Sequence, residues 1–256
     1  MVISGKSQDI QVHLENGVQI IKFCRSKKKN AINSEMYIAL TNILKNSAED
    51  NKVKFTVFTG EGDFFSSGND FSVDAVSTGT PEERFELFKN FIVSLIEYPK
   101  VLIAVVNGPA IGVACTMLPL CDVVYCSETA YFLTPFSKLG LCAEGCSSYT
   151  FSKILGKSKA SEMLYFCHKL TAKEALHYGF VSEILTSTQL KDDIWKRIQN
   201  FAKLPQSGMR VTKRIIQNGE KEFLLNLAKL ETEGLNEVKD TEETMNAILS
   251  QFQSKL

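Results

Sequence analysis

Histidine is scarce, at three residues in 256, tryptophan occurs once, and the seven cysteines include no Cys-x-x-Cys pair. A zinc site therefore has little to draw on, and an odd cysteine count argues against a disulfide framework. A reducing interior compartment fits this usage best. An excess of one charge is missing too. The 29 basic and 29 acidic side chains give a formal net charge of zero, so no overall field draws the chain to nucleic acid or to an anionic membrane, and an anionic ligand must be met locally. Residues Met1 to Ser7 lack the long apolar core of a secretory signal. Val101 to Leu120 is nearly apolar and about as long as a membrane span, but Asn107, Gly108, Pro109, Gly112, Thr116 and Pro119 interrupt it. The expected structure there is a buried strand, a Gly/Pro turn and the start of a buried helix. Common catalytic signatures are also lacking. Gly60-Glu61-Gly62 has no third glycine for a dinucleotide fingerprint, and neither a Gly-x-x-x-x-Gly-Lys loop nor a Gly-x-Ser-x-Gly elbow occurs. Cys167-His168 lies in an amphipathic stretch, a poor setting for a nucleophile.

What is present suffices for a large folded domain: 44% of the residues are hydrophobic. Asn16-Gly17 between apolar-rich runs predicts a β-hairpin with a type I′ turn. Asn33 precedes Met36, Leu40, Ile43 and Leu44, one face of a helix with an Asx cap. Val53 to Thr59 reads as a strand, Phe85, Phe88, Ile92 and Leu95 as a helix closed by Pro99, and Val101 to Val106 and Asp122 to Cys126 as further strands. This alternation predicts an α/β fold with buried parallel strands. From Cys146 onward the pattern is almost wholly helical, with breaks at Gly156, Gly179 and Pro205. Leu190, Ile194, Ile198 and Phe201 form one apolar stripe and Phe223, Leu227 and Leu230 another, each expected as core or subunit contact. Ser254-Lys255-Leu256 matches the tripeptide that the peroxisomal import receptor reads at a free carboxyl end; its plainer reading is a frayed helical tail.

Three loops carry candidate chemistry. Phe64 to Asp70 follows one strand and Asn107 to Val113 the next, so the two can face each other across the carboxyl edge of a sheet. Converging N–H groups of Asn69 and Val113 would make a two-donor hole for a carbonyl oxygen that turns negative, helped by the dipole of the helix beginning near Val113. Two ordinary Gly-rich turns fit the same spacing equally. In the third loop, Leu139 to Gly145, Glu144 stands among small and apolar residues, where burial would raise its pKa and make it a proton carrier. A Glu favourably placed at a helix N-terminus fits as well.

Taken together, Ser66-Ser67-Gly68-Asn69-Asp70, Asn107-Gly108-Pro109-Ala110, Thr134-Pro135-Phe136-Ser137 and Glu144 to Tyr149 resemble the crotonase (enoyl-CoA hydratase/isomerase) superfamily from about Val12 onward. Within it they look like the peroxisomal Δ3,Δ2-enoyl-CoA isomerase branch, which Lys27 to Asn33 also fits. The resemblance implies a ββα spiral core over residues 1–200 and a C-terminal helical region of the same domain, residues 201–256, that mediates trimer assembly. It implies that Ser66, Ser67, Gly68, Asn69, Asp70 and Val113 meet a fatty acyl-CoA thioester, that Asn69 and Val113 form the oxyanion hole, and that Glu144 is the base. No metal or separate cofactor is implied, since coenzyme A is part of the substrate. The expected partners are that substrate, the import receptor and further copies of the chain as a trimer or a pair of trimers. The hydratase glutamates of the superfamily correspond to Thr116 and Phe136, which favours double-bond migration over water addition. The non-catalytic alternative is an acyl-CoA-binding or scaffold protein of the same fold. Some relatives carry an acyl-CoA-binding domain ahead of the isomerase, for which this chain is expected to have no room. Lys28, Lys29 and Lys213 are candidates for the CoA phosphates.

Overall fold

The computed structural model describes residues 9–72, 75 and 79–253. It opens with the expected hairpin, β1 (Ile10–Glu15) and β2 (Val18–Phe23), antiparallel about Asn16 and Gly17. Both turn residues have positive φ, 50° and 86°, as a type I′ turn requires. Helix α1 (Ser34–Glu49) follows; the Asn33 side chain accepts from the Met36 N–H at 2.9 Å, satisfying one of the free donors of the first turn. Next come β3 (Phe55–Gly60), α2 (Pro81–Ile96) and β4 (Val101–Val106). Helix α2 starts with a complete capping box, Thr80 and Glu83 around Pro81.

Strands β2, β3 and β4 pair in parallel. β3 is buried throughout and β4 almost so, which is why both read as continuous apolar runs rather than alternating ones. Alternation instead sorts the residues between two cores. Phe58, Leu102, Ala104 and Val106 pack under α1 and α2, while Phe55, Val57, Ile103 and Val105 face Ile194 and Ile198. Each large apolar side chain removed from water in this way contributes about 2 kcal/mol.

The remaining strands are β5 (Ala110–Ile111), β6 (Val123–Ser127), β7 (Tyr131–Leu133), β8 (Leu170–Thr171) and β9 (Glu183–Leu185). Among the described residues the large sheet runs β1-β2-β3-β4-β6-β9 and a small one β5-β7-β8. Isolated parallel bridges, Ile32 with Asn69 and Ser66 with Ala110, continue the small sheet. Successive turns of chain thus give a long strand to the large sheet, a short extended piece to the small one, and then a helix. This is a ββα spiral.

Helices α3 (Val113–Thr116), α4 (Ser147–Leu155), α5 (Lys157–Phe166), α6 (Ala172–His177), α7 (Ile194–Phe201), α8 (Gln206–Asn218), α9 (Lys221–Val238) and α10 (Glu242–Gln253) complete the chain. The expectation of an almost wholly helical second half needs correcting, because β9 pairs in parallel with β6 and β8 pairs antiparallel with β7. Both are too short to show a period against helical surroundings. The breaks at Gly156 and Gly179, each at φ 77°, and at Pro205 before α8 stand where the sequence puts them. The first stripe is core: Ile194 and Ile198 are fully buried, although a π-helical turn, Gln189–Asp193, precedes α7. In the second, Phe223 and Leu230 are exposed while Leu227 packs on the core. The tripeptide Ser254-Lys255-Leu256 lies outside the described residues. No described helix is long and apolar enough to cross a membrane.

Candidate active site

Two side-chain amides hold the loop after β3. Asn107 accepts from Gly60 N–H at 2.9 Å and donates to the Gly62 and Phe64 carbonyls, and Asn30 donates to Glu61 and Phe64. The loop then pairs on both sides: Ser66 bridges Ala110, and Asn69 bridges Ile32. In the second bridge the Ile32 N–H bonds the Gly68 carbonyl and the Asp70 N–H bonds the Ile32 carbonyl. A strand alternates its hydrogen-bonding direction, so Asn69 turns its own N–H to the opposite side. That N–H, like the N–H of Val113, meets no acceptor among the described residues.

Gly68 brings the two loops together. Its φ is 85°, and a Cβ on it would stand 2.5 Å from the Ile111 carbonyl oxygen and 3.5 Å from the Gly112 Cα. Any side chain would force apart the segments that carry Asn69 and Val113. Helix α3 is a single turn continued by a 3-10 turn at Leu118–Leu120. The helix expected to begin near Val113 is therefore there but short, and its dipole adds little to the donor itself.

Glu144 is 4% exposed, and its Oε1 has no hydrogen-bond partner. Burial first, and then the Glu231 carboxylate, push its pKa up to about 8. It lines a cavity of about 140 Å³ together with Asn69, Tyr37, Phe85, Phe88, Leu141, Leu235 and Ile248. The structure therefore brings Asn69 and Glu144, predicted from separate loops, to one cavity. Val113 is fully buried in the core and is not among the residues lining the cavity. Asp70 also faces the cavity, but its carboxylate is bonded to Arg25 at 2.9 Å. Burial acts to raise its pKa, and the hydrogen bonds from Ser72 and Arg25 outweigh that and hold it below the usual carboxylate range.

Other predicted residues sit differently. The Ser66 hydroxyl is fully buried, donates to the Asn30 carbonyl at 2.7 Å and accepts from Gly68 N–H, so it braces the loop from inside. Ser67 and Gly68 engage through their backbones. Lys213 is corrected as a phosphate ligand: it is 4% exposed and held by Asp122 at 2.7 Å and the Lys100 carbonyl. Its desolvated ammonium ties α8 to the large sheet. Lys28 and Lys29 are exposed, the first 3.5 Å from the Ser72 hydroxyl and the second 5.1 Å above the Phe64 ring. Thr116 is buried directly against the third loop, since a Cβ on Gly145 would stand 2.5 Å from its hydroxyl; Phe136 is buried as well.

Sequence reasoning passed over two residues. Tyr37, on the buried face of α1, donates its hydroxyl to Asn69 Oδ1, and burial with the nearby Glu144 pushes its own pKa well up. Glu231 is buried on α9, and its signal was a charge one turn after Leu227 on a face that is otherwise apolar.

The family model described as enoyl-CoA hydratase/isomerase matches residues 13–255. The chain belongs to this family. Relatives include enoyl-CoA delta isomerase 2 of Rattus norvegicus, 44% identical over 96% of this chain. Another is enoyl-CoA delta isomerase 3, peroxisomal, of Mus musculus, 43% identical over 86% of this chain and 70% of the relative. The chain spans 64% of the rat relative's length. Among solved structures, an enoyl-CoA hydratase/isomerase from Pseudoalteromonas atlantica T6c superposes with a TM-score of 0.89 at 31% identity, covering 96% of this chain and 98% of that one. The crotonase fold inferred from the three loops is thus the fold of the chain.

Proposed function

We propose that this family member is an isomerase that converts a 3-enoyl-CoA, cis or trans, into the conjugated trans-2-enoyl-CoA of unsaturated fatty acid oxidation. The observation that carries the reading is the buried carboxyl of Glu144, with an oxygen free of hydrogen bonds in the same cavity as Asn69. The ionised Glu144 takes a proton from C2, and the C–H electron pair moves into the thioester carbonyl. The N–H groups of Asn69 and Val113 hydrogen-bond the dienolate oxygen. Glu144, now protonated, returns the proton at C4 as the pair flows back, leaving the double bond between C2 and C3. No electrons leave the substrate, and the coenzyme A thioester supplies the activation.

Water addition would need a second carboxylate to orient and split the water, and the family resemblance puts the buried, uncharged Thr116 and Phe136 at the positions of the hydratase glutamates. An apolar cavity of about 150 Å³ holds a benzene-sized group, so the cavity beside Glu144, about 140 Å³, suits an acyl segment of about six carbons. Lys28, exposed near the cavity-lining Asp70, and Lys29, exposed over the Phe64 ring, remain the proposed contacts for the CoA phosphates. The names of the rat and mouse relatives support the isomerase reading, and the mouse name supports a peroxisomal site of action. Exposed apolar side chains such as Phe166, Ile216 and Phe223 support assembly with further copies, a trimer in this reading.

The decisive assay follows conjugated-thioester absorbance with a 3-enoyl-CoA, beside a hydration assay on a 2-enoyl-CoA. Isomerisation without hydration is the expected result. Retained CoA binding without turnover of either substrate would instead establish the non-catalytic binding module.

A further inference from the structure

A second buried carboxylate lies behind the first. Glu231, 8% exposed on α9, reaches across to the start of α4 with both oxygens. Its Oε2 accepts from Cys146 N–H at 2.6 Å; its Oε1 accepts from Ser148 N–H at 3.1 Å and from the Ser148 hydroxyl at 2.6 Å. Helix α4 receives no side-chain cap from its own N-cap residue, Cys146, so a residue 85 positions away supplies the missing acceptor. Cys146 is also held at φ 64°, a left-handed conformation that a non-glycine residue keeps only when its surroundings enforce it. Burial raises the Glu231 pKa, and the hydrogen bonds donated by Ser148 and Cys146 act against that rise and favour the ionised, acceptor-only form.

We propose that Glu231 is a positioning residue for Glu144: by clamping the backbone two and four residues downstream, it fixes the turn that aims the Glu144 carboxyl into the cavity and presents a negative charge behind it. The inference rests on the base role given to Glu144 above. The other ionisable groups around Glu144 are Tyr37 from α1, Cys142 from its own loop, Asp70 from the loop after β3, Arg84 from α2 and Lys239 from the end of α9. Asp70 is paired with Arg25, Lys239 with Glu82 and Asp240, and Arg84 is bonded to the Gly79 carbonyl. Burial makes the Tyr37 and Cys142 side chains harder to ionise. Glu231 is the residue whose charge adds to burial in raising the basicity of Glu144.

The test compares pH profiles of kcat/KM for 3-enoyl-CoA isomerisation in the wild type, Glu231→Gln, Glu231→Asp and Ser148→Ala, with Glu144→Gln as control. Glu231→Gln removes the charge, so the midpoint of the rising limb should move to lower pH by roughly one pH unit. Glu231→Asp keeps the charge on a shorter arm, and Ser148→Ala removes one donor. Both should lower kcat severalfold while leaving the midpoint at its wild-type position, an outcome that also carries the proposal if the glutamine variant does not fold. A glutamine variant whose profile superimposes on the wild type, or an aspartate variant with wild-type kcat, would overturn the inference. If Glu144→Gln retains turnover, the base assignment itself fails; if that control is inactive while Glu231→Gln behaves as wild type, only the role of Glu231 fails.

Discussion

Replacing Glu144 by glutamine keeps the size of the side chain and removes its ability to ionise, so it exposes two consequences of burying a carboxyl beside the cavity. The first concerns stability. Burial and the Glu231 carboxylate raise the Glu144 pKa from 4.5 to about 8. Between those values the native chain keeps a proton that the unfolded chain has released. The contribution is therefore fully present below the unfolded value and is lost as pH rises through the folded one. At about 1.4 kcal/mol for each pH unit, the loss approaches about 5 kcal/mol at pH 8. Glutamine pays none of it. Urea unfolding at pH 5, 6.5 and 8 should therefore give the variant a stability advantage that widens with pH. The second consequence concerns turnover. A base with a pKa of about 8 is about one-tenth ionised at pH 7, so wild-type kcat/KM should climb roughly tenfold between pH 6 and 7 and level off above 8. The variant should lose about a hundredfold to ten-thousandfold in turnover. A stability gap that stays constant with pH would refute the buried-carboxyl account, and turnover within tenfold of the wild type would refute the base.

Three more substitutions probe the surroundings. Tyr37→Phe frees the Asn69 amide from its hydroxyl partner and should lower kcat/KM by up to about tenfold with little change in CoA affinity, the worth of one hydrogen bond; steady-state kinetics and CoA titration check it. Gly68→Ala puts a methyl group 2.5 Å from the Ile111 carbonyl at a φ of 85°, and should cost about 1–3 kcal/mol of stability along with most of the turnover, read by thermal unfolding and the isomerase assay. Lys213→Met strands Asp122 and the Lys100 carbonyl without their buried cation and should cost about 3 kcal/mol or more by urea unfolding, while KM for the acyl-CoA stays unchanged. A raised KM at full stability would return Lys213 to the phosphate site.

Legibility followed the range of the interaction. The hairpin, the Asn33 cap and strands β3 and β4 are fixed by neighbours in sequence, and each appears within two residues of its predicted place. Strands β8 and β9 are not. Glu183-Ile184-Leu185 is a strand because β6 offers it an unpaired edge, a condition created by residues nearly sixty positions earlier. The site divides in the same way. Asn69, Val113 and Glu144 could be nominated because each stands in a loop whose small residues announce close backbone approach. Their juxtaposition could not be derived from spacing, which fitted ordinary turns equally well, and entered only through the family resemblance. Lys213 misled because an ammonium looks alike in sequence whether it meets solvent, a phosphate or a buried aspartate.

Glu231 shows what long-range information adds to the chemistry. In sequence it is a charge on an otherwise apolar face, with nothing nearby to name its partner; in the fold it is buried, because three donors at the start of α4 compensate its desolvation. A buried anion held that firmly costs the protein stability unless its partners are in place. The partners are the backbone and the serine hydroxyl just after Glu144, so α9 can dock fully only when that turn has its active shape. Folding of α9 and formation of the candidate site are then one event. A variant that loosens α9 without touching the cavity, such as Ala228→Gly in its buried face, should therefore lose turnover at temperatures below its global unfolding midpoint. Turnover that persists up to the global unfolding midpoint would show that the helix and the site are not coupled in this way.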